Sequence, residues 1–456
     1  MKTIVEPRKY IYSLWGKQRV NEQAVYRLMR YVLCVDYDGE VLLHNVVTGQ
    51  LVVLDDEEKN ALNSLPTHYS SVMESLVHDH YLVPEHYEEH KQVQNLRKIL
   101  LKLHDARTNA ITHYTILPTT SCNARCYYCF EHGVQSFTMT EQIADDTAEF
   151  ISQQCKGQKV TILWFGGEPT VAAKSIDRIC SGLKAKGVQF VSTMITNGYL
   201  LDEEMASKAK TLWNLQHVQI SVDGTEQNYN RVKAYVNPQE NPYQKVMRNV
   251  GYLVKEGIAV GLRMNYDLEN YQDFDDLLKE VKERFNGNRL VQVYSYPIIG
   301  EYQNHEGELV HGEDDWFTKM TPELNDKARA CGLYHKVYEL PCLKYTNCGA
   351  DDNSAITITA LGEFVRCPEK FNQEQTIGNL KEGIKNFELA AQWKEQWERP
   401  ECIQCGYYPR CVKLSRCDAR DVCRAHDRNR QTELVIKKQY DAWKHHNKKE
   451  SAKNGV

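Results

Sequence analysis

The chain has 456 residues, too many for one ordinary domain, so two or three domains with at least one large core are expected. Its composition, 42% apolar and 26% charged, is globular. Its 56 basic and 61 acidic side chains give a net charge of −5, which excludes a whole-chain positive field for nucleic acid or an anionic membrane. The first twenty residues hold no apolar region of the signal-peptide kind, and nowhere do the ~18 apolar residues of a membrane span run together, so a soluble, cytoplasmic protein is expected.

In chain order, "YVLCVDYDGEVLLHNVVTGQLVVLDD" alternates apolar and polar residues around two turn signals, Asp38-Gly39 and Thr48-Gly49, and predicts three short antiparallel strands. Asp55 or Asp56 caps a helix running to Leu65, "SSVMESLVHDHYLV" supplies a second helix that ends near a short strand, and a long charged helix follows Pro84. A small sheet followed by helices predicts a winged-helix-like domain over residues 1–105.

From residue 106 to 310 the pattern changes. "THYTILP", "KVTILWF", "QFVSTMIT", "VQISVD", "VGLRMNY" and "LVQVYSYPII" are β-rich apolar runs, separated by helical stretches such as "EQIADDTAEFISQQC" and "YQKVMRNVGYLVKEG". Six such units predict an α/β fold, a partial (β/α)6 barrel of the TIM-like kind, whose ligands bind beyond the carboxyl ends of the strands. The cysteine loop "TTSCNARCYYCFEHG", "WFGGEP", "ITNG" and "SVDG" end the first four strands, so all four fall on one rim. Residues 311–430 are rich in Cys, Asn, Asp and Gly and poor in long periodic segments, which points to metal staples in place of a large apolar core. Residues 431–456 form a basic C-terminal helix or tail, expected to be solvated and frayed.

Fifteen cysteines without a secretory signal point to metal ligation rather than disulfides. Three lie within residues 122–129 and eight within 342–423, while Cys34, Cys155, Cys180 and Cys331 are scattered and expected as buried or inert thiols. Structural zinc takes four protein ligands, so Cys122-x3-Cys126-x2-Cys129 is one short. Three thiolates on a four-iron cluster instead leave one iron open to an exogenous ligand.

With Tyr128 directly before Cys129, this loop resembles the signature of radical S-adenosylmethionine enzymes. The resemblance implies a [4Fe-4S] cluster on Cys122, Cys126 and Cys129, with S-adenosylmethionine on the fourth iron as the source of a 5′-deoxyadenosyl radical. Gly166, Gly167, Glu168 and Pro169 resemble the segment that holds the methionine amino group. Thr196 to Gly198, Asn197 included, and Ser221 to Gly224, Asp223 included, resemble those that line the ribose and carboxylate. Arg231 or Lys233 is the cation implied for that carboxylate, and spacing does not choose between them.

The later cysteines, Cys342-x5-Cys348-x13-Gly362-x4-Cys367 and Cys402-x2-Cys405-x5-Cys411-x5-Cys417-x5-Cys423, resemble the SPASM extension. By resemblance Cys342, Cys348, Cys367 and Cys417 hold one auxiliary [4Fe-4S] cluster and Cys402, Cys405, Cys411 and Cys423 a second, three clusters in all. The spacing departs from the family pattern before Cys417 and before Cys423. A pair of zinc sites is the bland alternative.

Enzymes with this extension mostly act on peptides, and anaerobic sulfatase maturases resemble the chain in core and cysteine pattern. They carry an Asp directly after the cysteine equivalent to Cys367, where "RCPEKF" has Pro368, and Glu369 one place on is expected to point elsewhere. The N-terminal domain resembles the PqqD-like element that binds a leader peptide by strand addition. Nucleic-acid binding by this domain is disfavoured by the acidic, histidine-rich "HDHYLVPEHYEEH". The resemblance therefore implies a maturase of a ribosomally made precursor peptide, forming a thioether from cysteine sulfur to carbon, with flavodoxin or ferredoxin as reductant. Carbon–carbon cross-linking, formylglycine formation on a sulfatase, and a non-catalytic zinc scaffold are the alternatives. No residue stands out as catalytic base or hydrogen donor.

Overall fold

The computed structural model describes residues 1–285, 287–303, 308–312, 320–335, 339–423 and 425–453. The chain divides into two compact units, one of Met1–Arg107, Val337–Asn347 and Glu395–Val456, the other of Thr108–Lys336 and Cys348–Lys394. The stretch 311–430 is thus shared between them.

The first unit contains strands β1 (Lys2–Val5), β2 (Val25–Leu28), β3 (Val32–Tyr37), β4 (Glu40–Asn45), β5 (Leu51–Val53), β6 (Thr67–His68) and β7 (Leu82–Pro84). Its helices are α1 (Lys9–Trp15), α2 (Asp56–Asn63), α3 (Glu74–His78), α4 (Glu89–Arg107) and a C-terminal helix, Ala425–Lys453. The expected three-stranded meander is present. Asp38 and Gly39 both take positive φ, 54° and 76°, as a two-residue hairpin turn requires. Asp55 caps α2 in a reciprocal pair with Glu58. The sheet has a fourth strand, in the order β1-β5-β4-β3, and a second sheet runs β6-β2-β7. Tyr26, Tyr31, Leu43, Leu76, Val93 and Leu96 form the core together with Leu343 and Tyr408 from the later segments.

Two expectations for this unit are corrected. The tail does not simply fray: Val435, Ile436 and Tyr440 of the C-terminal helix are buried against Val35, Leu42, Leu51 and Val53 of the first sheet. Cys34 is an exposed thiol on β3, an edge strand of its sheet, whereas Cys155 and Cys180 are buried as expected and Cys331 is half-buried.

The second unit is built on one sheet of ten strands. Six are the expected ones: β8 (His113–Ile116), β9 (Val160–Trp164), β10 (Phe190–Thr196), β11 (Leu215–Ser221), β12 (Ala259–Tyr266) and β13 (Val291–Pro297). Their neighbours are all parallel. The intervening helices are α5 (Glu141–Gln154), α6 (Ala173–Ala185), α7 (Glu203–Thr211), α8 (Glu226–Lys233), α9 (Pro242–Lys255) and α10 (Phe274–Phe285). Strand residues Ile162, Trp164, Met194, Ile220 and Leu262 share one core with helix residues Ile151, Ile176, Leu183, Val250 and Leu253. A hairpin of β14 (Gly300–Gln303) and β15 (Leu309–Gly312) stands apart from the sheet. Beyond β8 the sheet continues through β16 (Ala355–Ile358), parallel to β8, and then antiparallel through β17 (Glu363–Val365), β18 (Gly378–Asn379) and β19 (Gly383–Ile384).

Candidate active site

Because β8 to β12 are parallel, the segments that follow them meet at one rim. The loop from Leu117 to Met139 leaves β8 and folds back on itself: the Thr120 amide donates to Phe137 O at 2.9 Å, and the Thr119 hydroxyl to the same carbonyl at 2.8 Å. Cys122, Cys126 and Cys129 lie on this loop, all half-buried. Burial pushes the Cys122 thiol up to about 12, with the Glu168 charge adding to it. Cys126 and Cys129 are raised by burial too, with Lys233 opposing the rise at both. Cation-binding groups of this kind stay protonated until a metal displaces the proton.

The turn after β9 presses directly on this loop. Gly167 and Glu168 donate their amides to Thr119 O at 3.1 Å and Ser121 O at 2.9 Å. A Cβ at Gly166 would lie 2.7 Å from Thr119 O, and one at Gly167 2.4 Å from Ser121 O, so no larger residue fits this cradle. Glu168, 1% exposed, places both oxygens on protein donors: Oε1 accepts from Thr170 Oγ1 (2.5 Å) and Thr196 Oγ1 (2.6 Å), and Oε2 from the Asn197 amide (2.7 Å). It therefore locks the end of β9 to the end of β10. Pro169 is buried in the first turn that follows. Asn197 reaches back to the loop through Nδ2 to Asn123 Oδ1, 2.7 Å.

Beneath the loop lies a buried polar network. Lys233 pairs with Asp223 at 2.8 Å and donates to Ser221 Oγ at 2.8 Å and to the Tyr128 hydroxyl at 3.1 Å. The Tyr128 hydroxyl donates to Asp223 at 2.8 Å. The Lys233 carbonyl accepts the Arg125 amide at 2.8 Å, so α8 clamps the cysteine loop through both backbone and side chain. Arg231 is instead half-exposed and pairs with Glu269 at 3.0 Å. Of the two candidate cations, only Lys233 is joined to Ser221 and Tyr128.

Sequence reasoning missed three members of the site. Asn265, near the end of β12, donates to both the Tyr128 hydroxyl and Asp223 at 2.9 Å. Its position at the end of a fifth parallel strand was the available signal. Tyr127 donates to Asp267 at 2.5 Å. Glu131, two residues beyond Cys129, has no partner for either oxygen among the described residues, and burial pushes it up to about 7. Glu369, expected to point elsewhere, lines a cavity of 780 Å³ with Thr120, Phe130, Leu361 and Gln373.

The later cysteines fall into two situations. Cys402, Cys405, Cys411 and Cys423 line one cavity of 450 Å³ in the first unit. Burial raises Cys402 and Cys405. Of the other four, Cys342 and Cys417 belong to the first unit and Cys348 and Cys367 to the second. Among the described residues no three His, Cys, Asp or Glu side chains converge as on a single metal ion.

Residues 116–281, from the last residue of β8 into α10, match the family model described as Radical SAM superfamily. This part of the chain is a radical S-adenosylmethionine domain, a family that implies a [4Fe-4S] cluster and S-adenosylmethionine. The chain is similar to Fe-coproporphyrin III synthase of Methanosarcina barkeri (strain Fusaro / DSM 804), 29% identical over 167 residues, 36% of this chain. That match spans 40% of the relative's length. Among solved structures the chain resembles native anSMEcpe with bound AdoMet and Cp18Cys peptide, with 15% identity, a TM-score of 0.54, and coverage of 74% of this chain and 99% of the other. It also resembles Streptococcus suis SuiB bound to precursor peptide SuiA, with 14% identity, a TM-score of 0.50, and coverage of 85% and 95%. These two likenesses establish the fold. Among the described residues no helix is long and apolar enough to cross a membrane.

Proposed function

We propose that the chain is a radical S-adenosylmethionine enzyme that modifies a ribosomally made precursor peptide, joining a cysteine sulfur to a carbon in an intramolecular thioether. The observation that carries the reading is the meeting of the three-cysteine loop, the Gly166-Gly167 cradle and the Ser221–Asp223–Lys233 network at one rim of a parallel sheet. In this reading Cys122, Cys126 and Cys129 hold the catalytic cluster, and Tyr128, Gly166, Gly167, Asn197 and Ser221 surround S-adenosylmethionine. With Glu168 committed to Thr170, Thr196 and Asn197, its role is to hold the cradle's shape, and backbone groups of that turn face the methionine end. Lys233 is the cation on the Ser221 side. The bound cluster and S-adenosylmethionine supply a radical able to abstract hydrogen from carbon.

Cys402, Cys405, Cys411 and Cys423 hold an auxiliary [4Fe-4S] cluster of the SPASM kind; for Cys342, Cys348, Cys367 and Cys417 the support for another is the resemblance in sequence alone. A tetrahedral zinc needs its sulfurs within about 2.3 Å of one point. Four thiols around 450 Å³ suit a larger body. The sheets of residues 1–107 serve as a PqqD-like docking element, where an extended leader gains backbone hydrogen bonds along a strand edge. Flavodoxin or ferredoxin delivers the electron.

A thioether removes two hydrogens and consumes a thiol. Anaerobic turnover of a co-encoded cysteine-containing peptide should give a product lighter by two hydrogens that resists alkylation at one cysteine. Full alkylation of a modified product would leave carbon–carbon cross-linking. The second reading, formylglycine formation on a sulfatase, is favoured by one observation, that Glu369 is among the residues lining the cavity beside the cysteine loop. An aldehyde reactive with hydrazide on a sulfatase peptide would establish it.

A further inference from the structure

Arg97 lies on α4, in the long charged helix of the N-terminal segment, yet it is 2% exposed. Its Nε donates to Lys344 O at 3.1 Å, and its Nη2 faces the carbonyls of Tyr408, Pro409 (3.1 Å) and Cys411 (2.7 Å). The guanidinium carbon stands 4.3 Å from the centre of the Tyr408 ring. All these partners lie within the first unit. Among the described residues no carboxylate forms an ion pair with this cation, the neighbouring Glu398 being held by His90 and the Tyr408 hydroxyl, and Nη1 makes no protein hydrogen bond. Carbonyl dipoles solvate a buried cation but do not neutralise it, so an unpaired guanidinium at this depth is costly unless a negative body lies near.

The place for such a body adjoins it. Arg97 lines the 450 Å³ cavity together with Cys402, Cys405, Cys411 and Cys423. Four thiolates around a [4Fe-4S] core carry net negative charge. Of the other basic side chains of that wall, Arg399 and Arg420 are about one-third to two-fifths exposed and screened by water, Arg428 lies over the Tyr407 ring, and Lys413, half-buried, donates to Ala419 O at 3.0 Å and Val422 O at 2.6 Å. Arg97 is also not the sole tie to this segment: Arg30 donates to Ile403 O at 2.8 Å, and His90 pairs with Glu398 at 2.9 Å.

We propose that Arg97 is a positioning residue for an iron–sulfur centre on Cys402, Cys405, Cys411 and Cys423: it fixes the carbonyl frame from Tyr408 to Cys411 and supplies the buried counter-charge. The N-terminal segment is then a structural part of the metal site as well as a docking element. The inference rests on the reading of those four cysteines as cluster ligands.

The test uses the full-length chain, reconstituted anaerobically with iron and sulfide, as wild type, Arg97→Met, Arg97→Lys and, for reference, Cys402→Ser. Iron and sulfide content, the reduction potentials of the clusters followed by electron paramagnetic resonance, and 5′-deoxyadenosine formation are measured. Arg97→Met should match Cys402→Ser in losing about four of about twelve irons, or keep them with one cluster shifted to lower potential. Arg97→Lys, which keeps charge but loses the planar fork, should restore the potential more than the iron content. Formation of 5′-deoxyadenosine at the wild-type level in Arg97→Met shows that the chain has folded; if it does not fold, Arg97→Lys carries the comparison. Wild-type iron content and potentials in Arg97→Met would overturn the role of Arg97. A wild type with only about four irons, unaltered by Cys402→Ser, would overturn the underlying reading instead.

Discussion

Replacing Lys233 by Met tests whether the site stands on a buried ion pair. Lys233 and Asp223 have side chains 2% and 0% exposed, 2.8 Å apart, and Lys233 also serves Ser221 and Tyr128. Removing the lysine leaves Asp223 charged and uncompensated in the interior, a change that costs about 3–5 kcal/mol. Replacing both, Asp223→Asn with Lys233→Met, removes the stranded charge, so the double variant should recover about 2–3 kcal/mol relative to the sum of the singles. Arg231→Met is the contrast. Its pair with Glu269 is 32% and 24% exposed, and water screening limits the loss to about 1 kcal/mol or less. Urea unfolding of the cofactor-free chain, followed by tryptophan fluorescence, reports on this core because Trp164 and Trp213 lie in it. A Lys233→Met loss no larger than that of Arg231→Met would refute the reasoning, as would the absence of recovery in the double variant.

Three further outcomes are expected. Gly167→Ala drives a methyl group into the Ser121 and Thr120 backbone and should destabilise the second unit by about 1–3 kcal/mol and lower iron retention at the cysteine loop, read by melting and iron assay. His44 is fully buried, and burial holds its pKa at about 4 although its ring nitrogens face Gln50 O at 3.1 Å and Pro341 O at 2.9 Å. Because this folded value lies below the unfolded 6.5, stability is intact above pH 6.5 and falls by roughly 3 kcal/mol as pH drops toward 4; His44→Gln should flatten that acid limb in urea titrations. Ile436→Ala, opening a hole between the C-terminal helix and the first sheet, should cost about 2–5 kcal/mol in denaturant unfolding, whereas a frayed tail would show no change.

The six parallel strands were legible because each is a short β-branched or aromatic run bounded by turn residues, and their order placed the cysteine loop and the Gly166 turn at one rim. The edge strand β1 and the pieces β2 and β6 were not, since such short runs can be read only where turn signals or a longer apolar run mark them, as at β5 and β8. The docked tail was missed for a related reason: its apolar stripe is only Val435, Ile436, Tyr440 and Trp443, thinly spread among lysines and histidines. In the site, residue types with fixed spacing could be read, but partners set by tertiary contact could not. Arg231 and Lys233 sit two positions apart in sequence, and only the fold shows which one is joined to Ser221. Arg97 looked like one charge among many on a solvated helix, and the carbonyls that surround it come from segments some 250 to 310 residues away.

The central claim is most directly tested by anaerobic reconstitution with iron and sulfide counting, together with assay of 5′-deoxyadenosine after reduction in the presence of S-adenosylmethionine. The account predicts about twelve irons and twelve sulfides per chain and 5′-deoxyadenosine that disappears in Cys126→Ala. Zinc without labile sulfide and no 5′-deoxyadenosine would contradict it.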